Sequence, residues 1–453
     1  MKEVNNLILG GGISGISASY HIGHHKCLIL EKNEHPFGIL KSKEARGFTW
    51  DQGPHVSFTK HEYVKELFRK NVKNELCEHA VFPTSYYKGI WINHPVQSNL
   101  YQLPDDIKEK CIKSFILERD KGVKSKFKNY DEWLKYSLGS EITKRFVSSY
   151  TKKYWTVEPE KLTIDWIGPR MYVPTVEEFL KSASSKPKES KHYITKVRYP
   201  KYGGYESFVK PMQQGAQIKY SHKIENINLE KRIVTCSNGE TYKYQKLIST
   251  IPLPIFVSLV KHFNKNVYEA AKKLNCSKLL LVNVEIPHKV NNKSHWFYVY
   301  DDDMYTSRVT VMDNLSTFNS PEGKSGLQVE VYLSPEKLVN ANFDHISKQV
   351  VKELYKIGII KNDYKYNDII TSHEYLEFAN VIFDHNRRTS LDTILNSLVS
   401  YGYIRKHDDL DAITEWDKHS NPKGTLFLLG RFGEWKYYWS DDCVMAGRLY
   451  ENL

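Results

Sequence analysis

Several features that would assign the chain to a simple class are missing from its sequence. The six cysteines are widely separated and form no C-x-x-C pair, which indicates neither a disulfide framework nor a zinc site. No run of 18 apolar residues occurs, so we expect no membrane-spanning helix. The first apolar run, "LILGGGISGIS", is broken by glycines and lacks the charged lead and cleavage site of a signal peptide. These absences predict a cytoplasmic protein with reduced thiols and no metal site.

The sequence also has no internal repeat, and its one low-complexity stretch is a short polar loop, "SASSKPKESKH", at 182–192. Lysine and arginine number 65 against 53 acidic residues, a net charge of +12, but the basic residues are scattered rather than clustered. A scattered excess is typical of a solvated surface, and no nucleic-acid partner is indicated. With 453 residues, 40% of them hydrophobic, the chain is expected to form two or three domains.

The strongest local pattern is "NNLILGGGISGISASYHIGHHKCLILEKN". Gly10, Gly12 and Gly15 form a G-x-G-x-x-G between a short apolar strand and a helical stretch, and a second strand ends at Glu31. Gly10 permits a tight turn, Gly12 lets the backbone approach a pyrophosphate, and Gly15 lets the helix pack against the strand. An acid about 20 residues after the first glycine binds a ribose hydroxyl. The pattern predicts a βαβ unit that binds a dinucleotide, FAD or NAD.

A second unusual pattern is "LFLLGRFGEWKYYWSDDCVMAG" near the C-terminus. Its apolar start predicts a buried strand that runs into Gly430, and Asp442 to Tyr450 predict a helix. The arginine, aromatics and carboxylates between them lie where a strand end meets a helix N-terminus. Ligands bind at such places in α/β proteins.

The remaining segments predict the domain organisation. Charged helix formers with apolar residues at helical spacing predict a helical domain at 100–190. Aromatic and β-branched residues predict a mainly β-sheet substrate domain, with some helix, at 261–414. A discontinuous nucleotide-binding domain would comprise 1–90, 195–260 and 415–453, and would contain a hairpin with its turn at Asn238 and Gly239.

Two segments after Glu31 favour FAD over NAD by resemblance. "EKNEHPFGILKS" resembles the E-x-x-x-x-P-G-G-x-x-x-S continuation of glutathione-reductase-like FAD proteins, and "GFTWDQGPHVSF" resembles the next segment, which lies along the flavin. Phe37 and Pro54 depart from this pattern, because each stands where a glycine is usual. Both residues are expected to stiffen or crowd the backbone locally.

Taken in order, the segments resemble the UDP-galactopyranose mutases and their relatives among flavin amine-oxidase-like and protoporphyrinogen-oxidase-like proteins. Gln97 in "WINHPVQSNL" matches a cleft glutamine, although His94 replaces a tyrosine, and Trp155 in "YTKKYWTVEPEKL" matches a substrate-facing tryptophan. Arg170 in "WIGPRM" matches the first diphosphate-binding arginine. "WFYVYDDDMYTSR" supplies the tyrosine and the second arginine of the clamp. A further mutase tyrosine is missing from "EYLEFANVIFDHNRR".

The resemblance implies a Rossmann-type, glutathione-reductase-like FAD-binding domain with a helical insertion and an antiparallel β-sheet substrate domain. It also implies the site residues. Catalytic roles fall to His55, Arg170, Arg308, Tyr298 and Tyr437. FAD would be held by Gly10, Gly12, Ile13, Ser14, Gly15, Glu31, Gly38, Ser42, Gly53, Pro54, His55, Gly430, Arg431 and Asp442. Substrate would contact Gln97, Trp155, Arg170, Tyr298, Arg308 and Tyr437.

The resemblance further implies a mutase that exchanges pyranose and furanose forms of a nucleotide sugar for surface glycans, on FAD reduced by NADH or NADPH. An FAD-dependent oxidoreductase of the amine-oxidase or protoporphyrinogen-oxidase type is the alternative, and a flavin-binding scaffold without catalysis is a third. Arg170 and Arg308 could instead form structural salt bridges, and Trp155 and Trp296 could be core aromatics. The sequence leaves open a homo-oligomer.

Overall fold

The computed structural model describes residues 1–187, 191–416 and 423–453. The middle of the polar loop predicted at 182–192 lies outside the described residues. The helices are α1 (Ile13–Ile22), α2 (Glu62–Asn71), α3 (Asp105–Arg119), α4 (Tyr130–Leu138), α5 (Ser140–Ile142), α6 (Ser148–Trp155), α7 (Val176–Ser182), α8 (Leu253–Leu259), α9 (Lys265–Lys272), α10 (Met312–Leu315), α11 (Pro335–Val339), α12 (Phe343–Lys356), α13 (Arg387–Leu398), α14 (Gly430–Gly433) and α15 (Ser440–Arg448). The strands are β1 (Lys2–Leu9), β2 (Cys27–Leu30), β3 (Ser42–Ala45), β4 (Phe48–Asp51), β5 (Leu76–Ala80), β6 (Thr84–Tyr87), β7 (Ile90–Asn93), β8 (Lys196–Pro200), β9 (Ile218–Lys219), β10 (Ile224–Asn228), β11 (Ile233–Cys236), β12 (Thr241–Ser249), β13 (Lys278–Ile286), β14 (Trp296–Val299), β15 (Arg308–Val311), β16 (Ser325–Leu333), β17 (Ile370–Leu376) and β18 (Leu426–Leu428).

The first sheet is built around the predicted βαβ unit. Its strand order is β10–β11–β12–β1–β2–β9, and β18 also pairs with β12. Strand β1 runs parallel to both β12 and β2, and its residues Leu7, Ile8 and Leu9 are fully buried. Burial on both faces explains why this strand is a continuous apolar run. The βαβ prediction is confirmed, and so is the hairpin, since β11 and β12 pair antiparallel around Gly239.

The C-terminal segment completes this sheet. Strand β18 pairs parallel with β12, and α15 packs against α1. A side chain at Gly447 would place its Cβ 2.4 Å from Ser17 Oγ, so a glycine is required where the two helices approach. The ends of the chain are therefore joined in one layer. Helix α1 begins in the glycine-rich N-terminal motif, and α15 begins in the C-terminal motif.

Helices α3 to α7 lie between β7 and β8 and pack on one another through apolar faces. Phe115 of α3 stacks on Phe179 of α7, with ring centroids 3.9 Å apart, and both rings are fully buried. The apolar residues at helical spacing are thus the core of this segment. Helix α6 follows a short π-helical turn, Thr143–Val147, and carries Trp155 at its end.

The second sheet has the order β17–β13–β16–β15–β14–β6–β7. It is antiparallel except where β14 runs parallel to β6. Its long strands β13 and β16 are almost wholly buried, and α12 covers one face through Val350 and Leu354. This sheet places Tyr298 and Arg308 side by side on β14 and β15.

Two details of the predicted domain boundaries differ from this arrangement. The boundary at residue 90 falls inside the β6–β7 hairpin, which joins the second sheet. Helices α9 and α13, assigned to 261–414, share a hydrophobic core with the first sheet. Local sequence patterns predict a strand or an amphipathic helix but not the apolar face that it meets.

The six cysteines are free thiols. Burial raises the pKa of Cys27 to about 11 and that of Cys111 to about 12, so these thiols are unreactive at neutral pH. In the described ranges, no helix combines the length and apolar character needed to cross a bilayer.

Candidate active site

The glycine-rich turn has the shape needed to receive a dinucleotide. Gly10 adopts φ +98°, and a Cβ on Gly15 would lie 2.1 Å from the Gly10 carbonyl oxygen. A Cβ on Gly12 would meet no protein atom within 4 Å. Gly10 and Gly15 are therefore required by the protein itself, whereas Gly12 borders open space.

The N-terminus of α1 opens toward this space. No side chain of the described residues caps it, and its first turn has no acidic residue, so the amide groups of Ile13 and Ser14 remain for a ligand. A Cβ on Gly430 would lie 2.2 Å from Ser14 Oγ, so the C-terminal turn fits against the same helix end only with glycine. Uncapped amides and a positive helix end suit a pyrophosphate, and the residues present therefore fit an FAD.

The Glu31 carboxylate accepts hydrogen bonds from backbone amides in and near the glycine-rich turn. Its Oε2 accepts a hydrogen bond from the Gly11 amide at 2.7 Å, and its Oε1 accepts one from the Asn33 amide at 2.9 Å. The side chain is buried, with 6% exposed. Each carboxylate oxygen has a second lone pair that a ribose hydroxyl could use. The sequence predicted only the ribose contact and missed the two amides.

The segment after β2 shows how the Phe37 departure is accommodated. Phe37 adopts φ +74°, in the left-handed region, and its amide donates to the Gly11 carbonyl at 2.7 Å. This conformation costs an L-residue about 1–2 kcal/mol, which explains the usual glycine. Burial of the phenyl ring, 3% exposed, offsets the cost. Gly38 also has a positive φ, +54°, and lies against Gly12.

His55 ends the loop after β4 in a neutral form. Its Nδ1 donates to the carbonyl of Gly53, whose φ is +103°, at 2.6 Å, and this leaves Nε2 as an acceptor. Burial lowers the pKa of His55 to about 3, and the nearby cations of Arg431 and Arg308 act in the same direction. Pro54, between Gly53 and His55, is half-buried. The loop therefore holds a neutral histidine whose Nε2 is an acceptor.

Ser42 supports a buried carboxylate. Its hydroxyl donates to Asp51 at 2.6 Å, and Asp51 also accepts from the Tyr199 hydroxyl and the Tyr205 amide. Burial raises the pKa of Asp51 to about 6. Ser42 is predicted to bind FAD, and its hydroxyl proton is donated to Asp51, a partner that the sequence did not indicate.

Asp442 closes the first turn of α15. Its carboxylate accepts hydrogen bonds from the Trp416 indole at 3.0 Å and from the Trp439 amide at 2.9 Å. Burial and the neighbouring Asp441 raise its pKa to about 7. Ligand atoms of His61, Asp441 and Asp442 lie within 4.8 Å of one another, a grouping missed in the sequence. Both Asp442 oxygens already accept hydrogen bonds, which favours a helix cap over a metal site.

Arg170 and Arg431 approach the C-terminal motif from different elements. The Arg170 guanidinium carbon lies 4.4 Å from the ring centroid of Tyr437 and 4.3 Å from that of Trp439. It donates to the carbonyls of Trp166 and Tyr437, and its Nε is buried without a partner among the described residues. Arg431 Nε donates to the Tyr438 carbonyl at 2.7 Å. Burial lowers the pKa of Arg170, and the cation of Arg431 adds to this.

Arg308 lies in the middle of a row across the second sheet. It is opposite Tyr298 on β14 and opposite Glu330 on β16. Its Nη2 donates to Glu330 Oε1 at 2.6 Å, so this arginine does form an ion pair. Its Nε is buried and has no hydrogen-bond partner in the described part of the chain. Tyr298 Oη accepts from the Trp296 indole at 2.9 Å.

A continuous series of contacts joins the two arginines. Glu330 Oε2 accepts from the Tyr332 hydroxyl at 3.2 Å, and the Tyr332 ring lies 4.8 Å from that of Tyr154. The Tyr154 hydroxyl lies 3.5 Å from the Tyr437 hydroxyl, and Tyr437 stacks on Arg170. We call Arg170, Tyr437, Tyr154, Tyr332, Glu330 and Arg308 the aromatic wall. The second sheet, α6 and the C-terminal motif each contribute to it.

Two predicted substrate residues are buried in protein contacts. Gln97 Nε2 donates to the Tyr172 carbonyl at 2.9 Å, and only 3% of the residue is exposed. Trp155, also 3% exposed, lies 5.6 Å from the ring of Tyr437, in the core beneath the wall. Trp155 therefore packs against the wall, whereas the side-chain amide of Gln97 is bonded to a backbone carbonyl.

The sequence missed three members of the wall: Tyr154, Tyr332 and Glu330. Tyr154 precedes Trp155 in "YTKKYW", so its position beside a predicted residue was an available signal. Its hydroxyl donates to Asn380 Oδ1 at 3.2 Å, and Asn380 lies in the segment that lacks the expected mutase tyrosine. Tyr332 and Glu330 had no local signal.

The two sheets, the helical insertion and the glycine-rich turn together indicate a flavoenzyme. A Rossmann-type sheet with a glycine-rich turn, a helical insertion and an antiparallel sheet is the architecture of the glutathione-reductase-like flavoenzymes, as predicted from the sequence. A family model described as flavin containing amine oxidoreductase matches residues 13–438. The chain belongs to that family, and its cofactor is a flavin.

Solved structures share this fold over nearly the whole chain. A reduced UDP-galactopyranose mutase superposes with a TM-score of 0.87 at 21% identity, covering 98% of this chain and 92% of that chain. A protein from Exiguobacterium sp. 255-15, provisionally named a protoporphyrinogen oxidase, gives 0.71 at 16% identity, covering 99% and 97%. Putrescine oxidase bound to putrescine gives 0.60 at 11% identity, covering 98% and 97%. The resemblance to mutases is confirmed for the fold.

Proposed function

We propose that this protein is a flavin-dependent mutase of the UDP-galactopyranose mutase type, which interconverts pyranose and furanose forms of a nucleotide sugar for surface glycans. One observation carries the proposal. Both Arg170 and Arg308 present a buried Nε–H that has no hydrogen-bond acceptor among the described residues. An unsatisfied buried donor costs about 1–3 kcal/mol, and a diphosphate would satisfy both donors. The contacts of the aromatic wall connect the two arginines, which supports this proposal.

The proposed cofactor contacts follow from the geometry of the first sheet. The uncapped N-terminus of α1 and the open side of Gly12 would hold the pyrophosphate of FAD, and Glu31 would bind the ribose. Arg431 and His55 would lie near the flavin ring. When bound and reduced by NADH or NADPH, FAD would supply a nucleophilic N5 for the anomeric carbon of the sugar.

The protein would then need little acid–base chemistry. Arg170 and Arg308 would stabilise the charge that develops on the departing diphosphate, and the hydroxyls of Tyr298 and Tyr437 would donate hydrogen bonds to it. Burial raises the pKa of Tyr298, so this phenol stays protonated as a donor. Because Trp155 supports Tyr437 from behind, the tyrosine is preorganised. His55, neutral at physiological pH, would act as an acceptor rather than as a cation.

An FAD-dependent oxidoreductase is the second candidate. Trp155, Trp166 and Phe383 surround Tyr437, with ring centroids 5.6 to 6.1 Å away. An aromatic enclosure of this kind suits an apolar substrate that loses hydride to oxidised FAD. This reaction does not need two arginines with unsatisfied Nε donors.

The deciding experiment incubates the purified protein with a panel of UDP- and dTDP-hexoses, with and without dithionite, and separates the products by chromatography. A mutase converts one of these sugars only after reduction, with no net oxidation. The oxidoreductase consumes oxygen with oxidised FAD and leaves every nucleotide sugar unchanged. Oxygen consumption without sugar conversion would overturn the mutase proposal.

A further inference from the structure

A buried lysine lies behind the strands that carry Tyr298 and Arg308. Lys153 projects from α6, and only 8% of it is exposed. Its ammonium donates to the carbonyl oxygens of Val299, Asp301 and Thr306, at 3.0, 2.8 and 2.6 Å. An ammonium has three N–H donors, and all three are used. Val299 is the last residue of β14, and Asp301 and Thr306 belong to the loop that joins β14 to β15.

A buried carboxylate holds the same loop from the other side. Glu353 of α12 accepts hydrogen bonds from the amides of Tyr305 and Thr306, at 2.8 and 2.9 Å. It also accepts from the Thr306 hydroxyl at 2.6 Å. The loop is thus clamped between an ammonium that takes its carbonyls and a carboxylate that takes its amides. The loop is flanked by Val299, which follows Tyr298, and by Arg308. Tyr298 and Arg308 are both proposed to bind the diphosphate.

The choice of a charged group here needs an explanation. Removing an ammonium from water costs several kcal/mol, and an apolar side chain of similar size would fill the same space without that cost. A charge is useful where backbone carbonyls must be held at defined positions. Lys153 belongs to α6, which also carries Tyr154 of the aromatic wall. Its hydrogen bonds to Asp301 and Thr306 therefore connect this helix to the loop of the second sheet.

We propose that Lys153 is a positioning residue that sets the separation of Tyr298 and Arg308 from α6. It touches neither substrate nor cofactor and acts through the loop alone. The inference rests on the proposed function only for its effect on nucleotide binding. The effect on the loop does not depend on that function.

The hold of Lys153 on the loop should depend on pH. Burial lowers the pKa of Lys153 to about 8; the carboxylates of Glu353, Asp301 and Asp302 oppose this shift, and Lys337 adds to it. The ammonium is therefore present at pH 7 and is lost as the pH rises through 8. Neutralisation weakens the hold on the three carbonyls.

The test compares Lys153→Met with Lys152→Met, which removes an exposed lysine of the same helix that pairs with Glu158 at 2.9 Å. Hydrogen–deuterium exchange of loop peptides over 299–308 should rise about tenfold in Lys153→Met and stay unchanged in Lys152→Met. Peptides of β13 should be unaffected in both variants. Unchanged loop exchange, or an equal rise in β13, would overturn the proposal.

UDP titrations test the consequence for the site. At pH 7 we expect Lys153→Met to bind UDP about tenfold more weakly than the parent, with Lys152→Met as tight as the parent. Between pH 7 and 9 the parent should lose affinity, whereas Lys153→Met should show no further loss. A parallel pH profile in the two proteins would contradict the positioning role.

Two outcomes separate this inference from the proposed function. If the parent binds no UDP, the proposed function fails and the exchange experiment alone decides the role of Lys153. If Lys153→Met does not fold, loop protection in the parent is compared at pH 7 and 9 after correction for intrinsic exchange. Equal protection at both pH values would then overturn the inference.

Discussion

Arg308 and Glu330 are paired across β15 and β16, with Arg308 Nη2 2.6 Å from Glu330 Oε1. Glu330 is only 2% exposed, so its carboxylate depends on the guanidinium for compensation. The same guanidinium has a buried Nε with no hydrogen-bond partner among residues 1–187, 191–416 and 423–453. Arg308 therefore has a structural role toward Glu330 and, under the proposed function, a second donor for the diphosphate.

Arg308→Lys should separate these two roles. Lysine keeps the charge beside Glu330, so the free energy of unfolding should change by less than about 1.5 kcal/mol. A point charge cannot reproduce the guanidinium fork, and the loss of two charge-assisted bonds should lower turnover by about a hundredfold, or about 3 kcal/mol. Urea unfolding and steady-state kinetics measure the two quantities. FAD binding should be unchanged.

Arg170→Lys serves as the companion variant, because Arg170 donates to backbone carbonyls and stacks on two rings. It should lower turnover by a similar factor. If Arg170→Lys and Arg308→Lys both bind UDP and UDP-hexoses as tightly as the parent, the diphosphate clamp is wrong. The oxidoreductase would then be the better interpretation.

Gly12→Ala and Gly15→Ala should fail in different ways. A Cβ at Gly12 meets no protein atom within 4 Å, so the apoprotein should melt at the parental temperature but bind FAD weakly. A Cβ at Gly15 would lie 2.1 Å from the Gly10 carbonyl, so this variant should be destabilised before any cofactor binds. Thermal unfolding of the apoproteins and absorbance of the bound flavin check both. If Gly12→Ala binds FAD as tightly as the parent, the pyrophosphate does not lie against Gly12.

Glu31→Ala should cost both FAD retention and stability. It removes the acceptor of the buried Gly11 amide, which costs about 1–3 kcal/mol. Glu31→Gln keeps a carbonyl acceptor, so it should weaken FAD binding with a smaller loss of stability. Flavin release on gel filtration and urea unfolding of the apoproteins distinguish the two variants. Full FAD retention in Glu31→Ala would contradict the ribose contact.

His295→Phe should make the protein less sensitive to acid. Burial lowers the pKa of His295 to about 4, whereas an unfolded histidine titrates near 6.5. Between these values the unfolded chain binds the proton and the folded chain does not. The stability from this group is therefore complete above pH 6.5 and falls by about 3 kcal/mol as the pH drops to 4.

Urea unfolding at pH 7 and 4.5 measures the effect. The parent should lose more stability than His295→Phe, and a control that replaces the exposed His25 with glutamine should behave like the parent. Burial also lowers the pKa of His192 to about 4, so His295→Phe should remain partly acid-sensitive. Equal pH dependence in parent and His295→Phe would show that the folded chain protonates His295 normally.

Local sequence patterns were enough to predict the elements that depend on neighbouring residues. The apolar run before Gly10, the spacing to Gly15 and the second strand ending at Glu31 predict a βαβ unit because strand burial, turn geometry and helix packing act over about thirty residues. The C-terminal strand and helix were predicted for the same reason. Resemblance supplied Arg170, Arg308, Tyr298 and Tyr437.

The contact partners of these residues depend on how distant segments pack together. Glu330 faces Arg308 because of the register of β15 and β16, and no pattern near either residue indicates that register. Lys153 donates to three carbonyls at the end of β14 and in the following loop, which are distant in sequence, and backbone carbonyls occur in every residue type. The Ser42 hydroxyl donates to Asp51, and Trp155 is buried in the hydrophobic core. Both positions also depend on tertiary packing. Burial, which sets the charge state of His55 and Lys153, exists only once the layers are assembled.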